Sequence, residues 1–166
     1  MSVITFKGQP IHTFGSLPPV GSACPDFRLT AADLSDQTLK DFAGKKKIFN
    51  IVPSLDTGVC QASARRFNME AGRHPDTVVL NISADLPFAQ QRFCAAEGLT
   101  NVVNLSTMRS PEFGQDFGAR IVDGPLAGLL SRAVLVVDEN NRVLHAQQVP
   151  EIAQEPDYDA ALAALG

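Results

Sequence analysis

The chain has 166 residues, 45% of them hydrophobic and 19% charged, which argues against disorder and coiled coil and for one globular domain spanning 1–166. Its 14 basic and 18 acidic residues leave a net charge of −4, so nothing favours binding to nucleic acid. The longest apolar runs are about as long as Ala133–Val137, far short of a membrane span. The first eight residues carry no basic stretch followed by an apolar one, so the expected location is cytoplasmic.

The elements are predicted as follows. Residues 1–14 read as a β-hairpin: Val3 and Thr5 take one face, Ile4 and Phe6 the other, Gly8 turns, and Ile11 to Phe14 returns. A connection rich in Gly and Pro runs from Gly15 to Pro25. Lys47 to Val52 reads as a buried strand, and Ser63 to Ala71 as helix with Ala62, Phe67 and Met69 near one side. Thr77 to Ser83 is a second strand, Phe88 to Glu97 a second helix, and Val102 to Ser106 a short strand. A polar helical piece follows near Pro111 to Phe117. Ala133 to Asp138 is the clearest strand, and the turn through Arg142 leads into an antiparallel partner, Val143 to Val149. Pro156 to Leu165 closes the chain as a helix, with Pro156 at its first position and Asp157 and Asp159 in its first turn. Strand–helix alternation followed by a hairpin and a helix predicts an α/β fold, a mixed central sheet with helices on both faces.

Many chemistries are missing from the sequence. No G-x-G-x-x-G, P-loop or G-x-S-x-G occurs, and His12, His74 and His145 stand alone, so no metal or cofactor is expected. The clusters Lys45–Lys47 and Thr107–Ser110 read as solvated faces. Three cysteines remain, Cys24, Cys60 and Cys94, without any C-x-x-C pair.

Cys60 is placed differently from the others. A strand ends at Pro53, a short loop carries Asp56 and Thr57 as candidate helix caps, and Cys60 falls in the first helical turn. Free backbone N–H groups and the helix dipole there favour a thiolate. The Thr57 hydroxyl can reach either the sulfur or the exposed amides. On placement alone Cys60 is either a reactive thiol or an inert one. Arg132 is one arginine among several, and Cys94 can be a filler on the Phe88–Phe93–Cys94 helix.

Pro53-x-x-x-Thr57-x-x-Cys60 resembles the P-x-x-x-T-x-x-C signature of peroxiredoxins, thiol-dependent peroxidases of thioredoxin-like fold. Asp56 to Cys60, Ile82 to Gln90 with Arg92-Phe93-Cys94, Asp123 to Leu126, Ser131 to Val134 and Glu155 to Tyr158 resemble the bacterial thiol peroxidase subfamily, over essentially the whole chain. The resemblance implies that Cys60 is the peroxidatic nucleophile and Cys94 the resolving cysteine. It implies that Thr57 orients peroxide and sulfur, that Pro53 shields the pocket, and that Arg132 holds the sulfur anionic. An intramolecular Cys60–Cys94 disulfide, re-reduced by thioredoxin, and a homodimer are also implied. The expected substrates are hydrogen peroxide and alkyl or lipid hydroperoxides, with Phe88 and Phe93 bordering an apolar substrate pocket. Cys24 matches no catalytic position and is expected to be a buried spectator. A redox sensor that transmits Cys60 oxidation, and an inert interaction module, are the competing readings. Because Cys60 and Cys94 sit at different depths in their helices, joining them is expected to require local unfolding.

Overall fold

The computed structural model describes residues 1–166. The chain opens with a hairpin of β1 (Val3–Phe6) and β2 (Gln9–His12). Lys7 and Gly8 make its two-residue turn, both at positive φ (52° and 76°), which suits the twist of a tight hairpin. β2 therefore begins at Gln9, two residues earlier than expected, and stops before Phe14.

The main sheet has seven strands. Its centre is β5 (Lys46–Ile51), β6 (Thr77–Ser83) and β7 (Val102–Ser106), mutually parallel and joined through α1 (Gly58–Arg73) and α2 (Pro87–Glu97). On one side β8 (Ala133–Val137) pairs antiparallel with β5, and β9 (Val143–Gln148) with β8. On the other side two short strands, β3 (Leu29–Thr30) and β4 (Asp36–Gln37), extend β7. These two-residue strands were too short to show a period-2 pattern. A 3-10 turn at Leu39–Phe42, α3 (Glu112–Asp116) and α4 (Tyr158–Leu165) complete the fold. No helix is long and apolar enough to cross a membrane.

Alternation along the strands builds two cores. Phe49, Ile51, Leu80, Ile82, Leu105, Leu135 and Val137 face α3, where Phe113 and Phe117 stack at 4.3 Å between ring centres. Ile48, Val79, Val134 and Val136 face the opposite way, onto Phe67 of α1 and Ala161 and Leu165 of α4. Helices thus cover both faces, as the pattern predicted.

Three local expectations are corrected. Met69 is 47% exposed; the inner face of α1 is Cys60, Ser63, Ala64, Phe67 and Glu70, one residue round from the stripe read off the sequence. Pro156 precedes α4 rather than opening it, and Asp157 is the cap, accepting from the Ala160 N–H at 3.0 Å. Lys47 is not solvated: it is fully buried on the face of Phe49, its Nζ donating to Asn141 Oδ1 at 2.7 Å and to the Asp138 carbonyl at 3.3 Å. Thr107 and Ser110 are buried too.

Candidate active site

The register Ile51↔Ala133 places the end of β5 beside the start of β8. The chain leaving β5 and the chain entering β8 therefore meet at one end of the sheet. Val52 continues the pairing by donating to the Ile82 carbonyl at 3.0 Å, and buried Pro53 ends it. The following loop is fastened by Asp85. Its carboxylate accepts from the Ser54 hydroxyl, the Leu55 N–H and the Ser83 hydroxyl, each at 2.8 Å. Asp85 had no role in the sequence reading, although it lies within the Ile82–Gln90 segment.

α1 then begins. Thr57 is its N-cap, and its hydroxyl accepts from the Cys60 N–H at 3.3 Å. Of the two partners open to that hydroxyl, the structure takes the amide. Cys60 lies in the first turn with its sulfur wholly enclosed, at 0% exposure.

Arg132 reaches this sulfur from the neck of β8. Its Nη1 donates to Cys60 Sγ at 3.0 Å, and its Nε donates to the Ile152 carbonyl at 2.7 Å. Its own carbonyl accepts from the Val149 N–H at 2.9 Å, so both ends of the residue are held. Arg132 is 2% exposed and makes no salt bridge. A guanidinium does not deprotonate in a protein, so its charge is buried against the sulfur and one carbonyl. The Ile152 carbonyl could not be anticipated, since backbone acceptors leave no mark in side-chain patterns.

Cys94 lies on the inner side of α2. It shares an apolar cluster with Val52, Leu55, Cys60, Ala64 and Leu99, and all three cysteines are free thiols. Burial raises the Cys94 thiol above its ordinary value, and a hydrogen bond from Asn104 Nδ2 to its Sγ at 3.0 Å opposes the rise. Helix α2 ends immediately beyond, at Gly98 in the left-handed region (φ 67°), and the Leu99 N–H closes onto the Cys94 carbonyl at 2.9 Å. Phe93 packs on the cluster and lines a groove of about 430 Å³ between the Ser54–Asp56 loop and α2. Phe88 is 66% exposed and is not among the residues lining that groove. Cys24 lies across the sheet with Phe27, Phe49 and Val137, where burial pushes its thiol up to about 12.

A thioredoxin-like sheet with a cysteine at the start of α1 and a buried arginine on its sulfur defines a class of thiol oxidoreductases. Residues 19–162 match the redoxin family. A thiol peroxidase of Streptococcus sanguinis is 52% identical over 161 residues, which is 97% of each chain. A solved peroxiredoxin-like protein from Aquifex aeolicus superposes with a TM-score of 0.91 at 32% identity, over 99% of this chain and 96% of that one. The thiol peroxidase of Chromobacterium violaceum gives a TM-score of 0.92 at 24% identity, over 98% and 94%, a likeness of fold. The chain belongs to the redoxin family and, within it, to the thiol peroxidases.

Proposed function

We propose that Cys60 is the sulfur at which this thiol-dependent peroxidase reduces its substrate, with Arg132 as its electrostatic partner. The observation that carries the reading is the 3.0 Å contact from a buried guanidinium to Cys60 Sγ. The thiolate attacks one peroxide oxygen; an S–O bond forms as the O–O bond breaks. The other oxygen leaves with a proton as water or an alcohol. Arg132 offsets the negative charge that moves from sulfur to the departing oxygen. Thr57 holds the first turn of α1 in register by accepting from the Cys60 N–H, and its hydroxyl is assigned the orienting of the peroxide. Pro53, buried where β5 ends, is assigned the shielding of the pocket.

Cys94 is the resolving thiol in this reading. It displaces hydroxide from the Cys60 sulfenic acid, leaving a disulfide and water. Its place in one apolar cluster with Cys60, on a helix closed by Gly98, supports that role. A dithiol donor of the thioredoxin type then reduces the disulfide. Phe93 favours alkyl and lipid hydroperoxides beside hydrogen peroxide, whereas the exposure of Phe88 gives it a lesser part. A cytoplasmic homodimer completes the reading. In a coupled assay with thioredoxin and its reductase, Cys60→Ser is expected to lose all peroxide turnover. Cys94→Ser is expected to consume about one equivalent, accumulate sulfenic acid and stop. Sustained turnover by either variant removes that cysteine from its role.

A further inference from the structure

A row of asparagines crosses the three central strands. Asn50 of β5 lies opposite Asn81 of β6, and Asn81 opposite Asn104 of β7. Asn50 Nδ2 donates to Asn81 Oδ1 at 3.0 Å, and Asn81 Nδ2 to Asn104 Oδ1 at 3.4 Å. Asn104 Nδ2 is left to donate to Cys94 Sγ at 3.0 Å, with the Gln90 carbonyl at 3.5 Å as a weaker second acceptor. At its other end Asn50 Nδ2 faces Ser63 Oγ at 3.5 Å, and the Ser63 hydroxyl donates to the Cys60 carbonyl at 3.0 Å. Asn81 and Asn104 therefore have their oxygens turned toward β5 and their nitrogens toward α2, while the buried Asn50 Oδ1 accepts no hydrogen bond. Asn50 and Asn81 are fully buried and Asn104 half-buried, and buried amides in place of aliphatic side chains are costly unless they are hydrogen-bonded, as this row is.

We propose that Asn104 is a catalytic residue of disulfide formation, donating a hydrogen bond to the attacking Cys94 sulfur, and that Asn81 and Asn50 are positioning residues that fix its amide. The inference rests on Cys94 being the resolving thiol. In that step the Cys94 thiolate attacks the sulfur of the Cys60 sulfenic acid. An S–S bond forms, the S–O bond breaks, and hydroxide leaves to take up a proton as water. The electrons come from the thiol pair and the oxidant is the peroxide already consumed. An N–H aimed at sulfur favours the thiolate over the thiol, against a burial that disfavours it. Asn81 disfavours a flip of the Asn104 amide, since a flip would set its oxygen against the Cys94 sulfur and the Gln90 carbonyl and its nitrogen against Asn81 Nδ2. α1 carries Cys60, Arg65, Arg66, Glu70 and Arg73, α2 carries Arg92 and Glu97, with Arg65 paired to Glu97 at 2.9 Å, the adjoining loops carry Asp56 and Asp85, and β7 carries none; burial and the Asn104 hydrogen bond are what act on the Cys94 thiol.

The test compares the unsubstituted enzyme with Asn104→Leu, Asn104→Asp and Asn81→Ala. Carbon NMR of labelled cysteine, in a Cys60→Ser background, follows Cys94 ionisation directly. Stopped-flow fluorescence separates peroxide attack from disulfide formation. Asn104→Leu is expected to move Cys94 ionisation to higher pH, and Asn104→Asp further, with Asn81→Ala moving it the same way by less. Disulfide formation at neutral pH should slow about three- to fourfold for each pH unit moved, because the lost thiolate fraction is partly offset by its greater nucleophilicity. Peroxide attack at Cys60 should not change. The expected pair of shifts supports the proposal. An unmoved Cys94 titration in Asn104→Leu and Asn104→Asp overturns it. So does a moved titration with an unchanged rate of disulfide formation, a result that leaves Cys94 as the resolving thiol. Failure of the unsubstituted enzyme to form a Cys60–Cys94 disulfide is a separate outcome: it removes Cys94 from the resolving role, and this inference with it.

Discussion

Arg132→Ala removes the cation that faces the Cys60 sulfur, the proposed nucleophile. Unit charges about 4 Å apart attract by about 4 kcal/mol at an effective dielectric constant of about 20. A single charge-assisted hydrogen bond contributes about 1.5–3 kcal/mol net. With Nη1 at 3.0 Å from Sγ and no carboxylate sharing the guanidinium, a loss of about 2–4 kcal/mol is expected in the thiolate and in the transition state that follows it. That corresponds to peroxide attack about 30- to 1,000-fold slower. Stopped-flow kinetics of the first turnover read this directly. Arg132→Lys keeps the charge but cannot serve both the sulfur and the Ile152 carbonyl in the same fork, so it should fall between the two. Arg132→Ala also leaves that carbonyl without its donor, an expected cost of about 1–3 kcal/mol in unfolding free energy. An attack rate within about threefold of the unsubstituted enzyme, in a folded Arg132→Ala variant, would refute the electrostatic role.

Two further outcomes follow from the geometry. Conversion of the free thiols to the Cys60–Cys94 disulfide should raise amide exchange in residues 57–66, 88–98 or both while β5, β6 and β8 stay protected, and equal exchange in the two redox states would show that no local opening is needed. Acid should release the N-terminal hairpin before the sheet: Asp123, which accepts from the His12 N–H, and Glu151, which accepts from Gly8 and Ala153, are held below their ordinary values by those hydrogen bonds, so their contribution is present above about pH 4.5 and is lost as pH falls through the lowered values; amide protection of residues 3–12 that persisted until global unfolding would contradict this.

Much of the fold was legible because each long element carries its own period. β6 reads Thr77-Val-Val-Leu-Asn-Ile-Ser83 with turn residues before it, and its expected ends are the observed ones. The first turn of α1 was legible for the same local reason, since a capping threonine three residues before Cys60 is a short-range signal. Arg132 was legible only through resemblance. Its contact with Cys60 joins residues 72 apart, and it depends on the antiparallel register of β5 and β8, which local patterns do not encode. Lys47 was misread because a run of three lysines suggests a wet face, whereas period-2 alternation turns the third one inward among apolar residues, with Asn141 as its partner. Asn50, Asn81 and Asn104 each stood in plain view inside a predicted strand. Only the strand order reveals that they form one row.

The seven-stranded sheet also acts as a partition between thiols. Cys60 and Cys94 share one side, and Cys24 is sealed on the other among aromatic rings. While the barrier stands, Cys24 is kept apart from the other two thiols and cannot be drawn into a pairing with them. With its proton held to about 12, Cys24 becomes a silent passenger whose modification by a thiol reagent records only the opening of the core. The chain thus carries its own clock for structural integrity, one that runs independently of how often the enzyme has turned over.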